Sequence, residues 1–154
     1  MTISRRLTAL LVVTVAGLVT AAGLVTAPPG LGASRLAPPV MHEVFTALPC
    51  TGAPAARDTL QQLGCAEHRI LASDHSIDTL NRTIFTALAD RASQVDFVAG
   101  HRAWRRYRDR YCRSVSDLFR GGTEAGVLDA ECAAGINAQH VTALRAFARD
   151  LRSH

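Results

Sequence analysis

The chain contains no lysine: all 17 of its basic residues are arginine. Aromatic residues are scarce, with one tryptophan, two tyrosines and five phenylalanines in 154 residues. No G-x-S-x-G elbow, P-loop or H-E-x-x-H helix occurs, which removes the usual signatures of hydrolase, nucleotide and metalloprotease chemistry. The four cysteines include no C-x-x-C, and no histidine pair stands beside them at ligand spacing, so a zinc site is the weaker reading of the set. No internal repeat and no alternating β pattern is present, which leaves an all-α fold. The first cysteine, Cys50, follows Leu48-Pro49 and not a small-residue box, so lipid attachment is not indicated. Arginine in place of lysine reads as composition before function. Setting aside Arg5 and Arg6 leaves 15 basic residues against 13 acidic ones, a net of +2.

Three stretches follow one another. Arg5-Arg6 precede an uncharged apolar run from Leu7 to Val25 and then Ala, Pro and Gly. Residues 1–33 therefore read as an export signal, cleaved after Ala27 or Ala33, with a retained N-terminal anchor as the alternative. Residues 34–55 form a Pro/Ala-rich lead-in, where Pro38-Pro39, Pro49 and Pro54 block a long helix. The lead-in is expected to become ordered near Cys50. Residues 56–154 carry helical periodicity. Four cysteines in an exported chain are an even set, for which disulfides are the expected use.

Leu63, Ile70, Ile77 and Ile84 recur every seven residues along a first helix spanning about 56–92, with Leu60, Phe85 and Leu88 widening the stripe. Glu67 reads as the solvated edge of that stripe, and Asp74 and Asn81 as its buried polar members. Ser93 and Asp96 mark a second helix running to about Arg120. Phe97, Trp104, Tyr107, Tyr111, Val115 and Leu118 fall on one side of it, and Arg102, Arg105, Arg106, Asp109, Arg110 and Arg113 on the rest. Arg108 falls inside the aromatic stripe, where a charge needs a partner. Gly121-Gly122 supply a positive-φ stop, and Thr123 can cap a third helix that buries Val127, Ala130, Ala134, Asn137, Val141, Leu144, Ala148 and Leu151. The result is a small disulfide-stabilised antiparallel bundle of three main helices. Cys112 and Cys132 lie about eight residues on either side of the glycine turn, so they sit level across a hairpin at ~1.5 Å rise per residue. That pairs Cys112 with Cys132, and Cys50 with Cys65. The same register brackets Arg108 between Asp74 and Asn81, predicting a buried network of Asp74, Asn81, Trp104 and Arg108 in which Arg108 donates to Asp74 and also to Asn81.

The run Arg102-Ala103-Trp104, then Tyr107-Arg108-Asp109, Cys112, the Gly121-Gly122-Thr123 turn and Cys132 resembles the N-terminal-domain family of the lysozyme inhibitor LprI. Cys50, Thr59, Cys65 and Leu80-Asn81 look like the first half of the same pattern. The resemblance covers roughly Cys50 to Phe147. It departs from the family at His101, where Gln is usual, and around Asn137 to His140. It implies a small extracytoplasmic helical domain, periplasmic, envelope-bound or secreted, whose protein partner is a c-type lysozyme.

Such an inhibitor needs no catalytic residue, cofactor or metal, only a rigid surface. His68, His75 and Asp74 are the best metal or acid-base candidates, and they read as chance neighbours. Asn81-Arg82-Thr83 matches a glycosylation sequon by chance, since it falls within a helix. Nucleic acid is not an expected ligand, because the wheel sets Trp104, Tyr107 and Tyr111 opposite most of the arginines, and stacking platforms need both on one surface. Lysozymes of this type are basic, so docking calls for acidic residues: Glu124, Asp129 and Glu131, or Asp78 beside Asp74. The alternative is an envelope adaptor whose arginine-rich face contacts anionic cell-wall polymer or membrane lipid.

Overall fold

A computed structural model describes residues 36–54, 57–119 and 122–153. The expected export segment 1–33 lies outside these residues. Three helices account for most of the rest: α1 (Thr59–Ala87), α2 (Arg91–Ser116) and α3 (Glu124–Ser153). No strand occurs among the described residues, and none of their helices is long and apolar enough to cross a membrane.

The starts of α1 and α2 are each set by a local side chain. Asp58 opens α1 with a capping box, its carboxylate accepting the Gln61 N–H at 2.8 Å while the Gln61 side chain accepts the Asp58 N–H. Asp90 opens α2 by accepting both the N–H and the hydroxyl of Ser93, which holds its own carboxyl below the usual range. The start therefore lies three residues before the expected Ser93, because Leu88 turns extended and frees Asp90 to cap. Nor does α2 reach Arg120. A 3-10 turn at Asp117–Phe119 ends it, and the Gly122 N–H closes on the Phe119 carbonyl at 3.0 Å. Gly121 lies outside the described residues. The one described glycine with positive φ is Gly52, at 77°.

Arg69 meets Glu131 and Asp74 meets Asn137, so α1 and α3 run the same way. Cys112 meets Cys132 and Phe97 meets Phe147, so α2 runs against α3. The helices form an up-down-up bundle in which each neighbour in sequence is antiparallel. Both disulfides take the pairing that the spacing indicates, Cys50–Cys65 and Cys112–Cys132, with no free cysteine. Closing such short loops is worth roughly 3 kcal/mol each on the chain-entropy estimate.

The lead-in is the unexpected element. It is tied to α1 as early as Pro39, well before Cys50, and runs antiparallel along that helix as a strap. The Pro39 carbonyl accepts from Asn81, the Met41 N–H donates to Asp78 at 2.7 Å, and the Leu48 N–H donates to Glu67 at 2.7 Å. Glu67, read as a stripe edge that reaches solvent, is half-buried there, and its carboxylate also accepts from the strap. Met41 is buried with Ile77, Ile84, Val141, Leu144 and Ala148. At the far end the strap crosses Gly64 so closely that a Cβ there would stand 2.6 Å from the Leu48 carbonyl oxygen. Only glycine fits that crossing.

The strap matters because α2 packs closely on α3 and meets α1 mainly through side chains, at Asn81–His101 and Gln94–Phe85. The buried face of α2 is accordingly narrower than its run of apolar residues. Tyr107 and Tyr111 are 56% and 49% exposed, and Leu118 is 80% exposed, so none of the three joins the core. What α2 buries is Val98, His101, Arg108 and Cys112.

Candidate functional site

Two polar layers cross the bundle. In the first, Arg108 is 4% exposed and donates to Glu43 at 2.6 Å, to Asp109 at 2.7 Å and to Asn137 at 3.1 Å. Burial pulls its pKa down, but the hydrogen bonds and charges of Asp109 and Glu43 outweigh this and hold it above the ordinary value. Asn137 then donates to Asp74 at 2.9 Å and to the Ser73 hydroxyl. The direct Arg108–Asp74 bond expected from the register is therefore replaced by a relay. Arg108 is level with Asp74, but the Asn137 amide of α3 stands between them. Burial, seconded by the nearby Glu43 charge, raises the Asp74 carboxyl to about 6, and its Oδ2 has no hydrogen-bond partner within the protein.

Asn81 belongs to the second layer and not to Arg108. Its amide donates to the Pro39 carbonyl at 3.1 Å and faces the His101 Nδ1 at 3.3 Å. With Nδ1 accepting, the imidazole proton sits on Nε2. Asn81 is fully buried, so its sequon is closed to modification in the folded chain. His140 stacks on Trp104 with centroids 3.7 Å apart and 13° between planes, and Arg108 lies 5.8 Å from the same indole centroid. Burial lowers the pKa of both His101 and His140 to about 4. Trp104 thus joins the two layers. This arrangement orders side chains, and at its edge Glu43, Arg108 and Asp109 border a cleft at the surface.

The surface feature nearest to it is a cleft of about 380 Å³ between the strap, α1, α2 and α3, bounded by Glu43, Phe45, Leu63, Glu67, Arg113 and Asp129. Asp129 keeps much of its surface in solvent, but partial burial of its carboxyl at the cleft raises its pKa. Of the acidic residues expected to dock a partner, Asp129 lines this cleft and Glu124 is exposed in the first turn of α3. Glu131 is paired with Arg69 on the α1–α3 seam. Asp78 is half-buried, and its carboxylate accepts from the Met41 N–H of the strap. Sequence reasoning missed Glu43 and Glu67. For Glu43 the signal is a period of two in the strap, where Met41, Glu43, Phe45 and Ala47 turn inward and His42, Val44 and Thr46 outward, whereas Glu67 lies on α1.

His68 and His75 are exposed while Asp74 turns inward, and no group of three His, Cys, Asp or Glu among the described residues is placed to hold a metal. The family model described as lysozyme inhibitor LprI matches residues 50–144, from the first cysteine of the strap to the core residue Leu144. That span takes in both disulfides, Arg108 and Asn137, and more than half of the chain. The chain belongs to the lysozyme inhibitor LprI family. No curated protein and no solved structure matches it. LprI is an inhibitor family and not a catalytic one, and two disulfides in such a chain mark an exported protein.

Proposed function

We propose that this LprI-family chain inhibits a c-type lysozyme by docking on it, with no chemistry of its own. The family match across both disulfides carries this reading. Residues 1–33 serve as the export signal, delivering the domain to the periplasm, the envelope or the medium. The docking surface is the acidic end of the bundle: Asp129 at the cleft and Glu124 one to two turns before it, with Glu67 across on α1. A basic enzyme approaches this end along a favourable field, and the pinned helices lose little freedom on binding.

Titrating a c-type lysozyme with the oxidised chain tests it, with lysis of cell-wall substrate as the readout. Activity should fall to a floor as inhibitor approaches the enzyme concentration. The charge reversals Glu124→Arg and Asp129→Arg, both at solvent-facing positions, should weaken inhibition about tenfold or more, a loss of ~1.4 kcal/mol. Unchanged lysis at a large molar excess of wild-type chain would refute the proposal.

A further inference from the structure

The outer face of α2 brings together what the helical wheel had set apart. Tyr107 and Tyr111 stack one turn from each other, with ring centroids 5.6 Å apart and 23° between planes, and both stand about half exposed. With Ala103, Arg106 and Arg110 they line a shallow open depression. Two rows run side by side at four-residue intervals, one of Arg102, Arg106 and Arg110, the other of Ala103, Tyr107 and Tyr111. Members of a row rise about 6 Å from one to the next. None of these three arginines enters an ion pair among the described residues. Like charges four residues apart repel one another on a helix, so the arginine row gains nothing for the fold from its own spacing. It shares no residue with the acidic cleft.

We propose that this Arg–Tyr face binds a strand of an acidic glycan. A guanidinium takes a carboxylate through two parallel hydrogen bonds, and one such group is offered at each turn. The tyrosine rings alongside give a flat apolar platform for the C–H face of a sugar, with phenolic tips that reach its hydroxyls. A linear polyanion lying along α2 meets both rows at once. A membrane surface fits less well, because it needs a continuous apolar strip and here the apolar part is two rings and an alanine methyl. Single-stranded nucleic acid also stacks on tyrosines between arginines. Two disulfides place this domain in an oxidising compartment, however, where acidic glycans are the abundant linear polyanions. The proposal is independent of lysozyme binding, and the two surfaces leave room for both ligands together.

Calorimetric titration of the oxidised chain with polygalacturonate tests it, beside the same polymer methyl-esterified, a single-stranded oligonucleotide and vesicles of anionic phospholipid. The acidic polymer should bind most tightly, and esterification should weaken it about tenfold or more. Tyr107→Ala with Tyr111→Ala, and separately Arg106→Gln with Arg110→Gln, should each weaken it by about the same factor. Melting temperature and lysozyme inhibition should not change, since these side chains lie outside the core and the cleft. Equal binding by wild type and both double variants would overturn the proposal. So would tighter binding of the oligonucleotide or of the vesicles, or loss of lysozyme inhibition with glycan binding intact.

Discussion

Arg106 and Arg108 stand two residues apart on one helix, and the fold treats them as different chemical objects. Arg108 is enclosed by Glu43 of the strap, Asp109 and Asn137, and each of its three guanidinium nitrogens donates to one of them. Arg106 lies on the exposed face beside Tyr107 and Arg110. A step of two residues turns about 200° around a helix, so one of the two points at α3 when the other points at solvent. The inner guanidinium is a structural group whose loss strands the partly buried Glu43 carboxylate. The outer one adds little to the fold and is free to serve a ligand. Residue type says nothing about which role applies; phase on the helix decides it.

The largest effect is expected where that contrast is cut directly. Arg108→Ala should cost ~3–5 kcal/mol in urea unfolding, since Glu43 and Asn137 lose their partner inside the bundle, while Arg106→Ala should stay within ~0.5 kcal/mol. Equal unfolding midpoints for the two variants would show that the inner site is solvated.

The strap offers the next test. Gly64→Ala inserts a methyl group against the Leu48 and Pro49 carbonyls, at 2.6 and 2.7 Å, so the strap must lift. A loss of ~1–3 kcal/mol is expected, despite the better helix propensity of alanine. A more stable Gly64→Ala variant would mean that the strap does not bear on α1.

The polar layers set a pH dependence of smaller net size, because their members oppose one another. Unfolded imidazoles take up protons as pH falls below 6.5, whereas folded His101 and His140 resist until about 4, so stability is lost between those values on acidification. Asp74 acts in the other direction. Its folded carboxyl binds a proton near 6 and its unfolded one near 3.8, so acidification through 6 adds stability. Two imidazoles against one carboxyl leave a net loss from pH 6.5 towards 4. His101→Gln should flatten the decline in melting temperature over that range, and Asp74→Asn should steepen it. A level profile in the wild type would contradict the burial of both histidines.

The smallest effect is expected at Gly135, where a Cβ meets nothing within 4 Å. Gly135→Ala should raise stability by ~0.5–1 kcal/mol, read as a higher melting temperature. Set beside Gly64→Ala, it separates a glycine needed for close approach from one that only weakens its helix.

Much of this architecture was legible in the chain itself. The seven-residue spacing of Leu63, Ile70, Ile77 and Ile84 and the turn chemistry near Gly122 are local signals, and local signals survive in a linear string. Cysteine spacing about that turn sufficed for both disulfides, because a short hairpin leaves little choice of register. The same register put Arg108 level with Asp74. It could not show that Asn137 of α3 lies between them, since a wheel compares two helices and this contact needs three. The width of the α2 stripe was likewise undetermined. Tyr107 and Tyr111 are apolar enough to be buried, but α2 packs mainly on α3, and a helix with one helical neighbour buries a narrow face. The strap escaped notice because Val40 and Val44 blur its alternation and its prolines read as a linker. Helix positions, disulfides and family follow from the sequence, being fixed by nearby residues or by short loops. Which polar groups meet inside, and which aromatics remain on the arginine face, was decided only when three helices and the strap closed on one another, because those contacts join residues 20 to 65 positions apart.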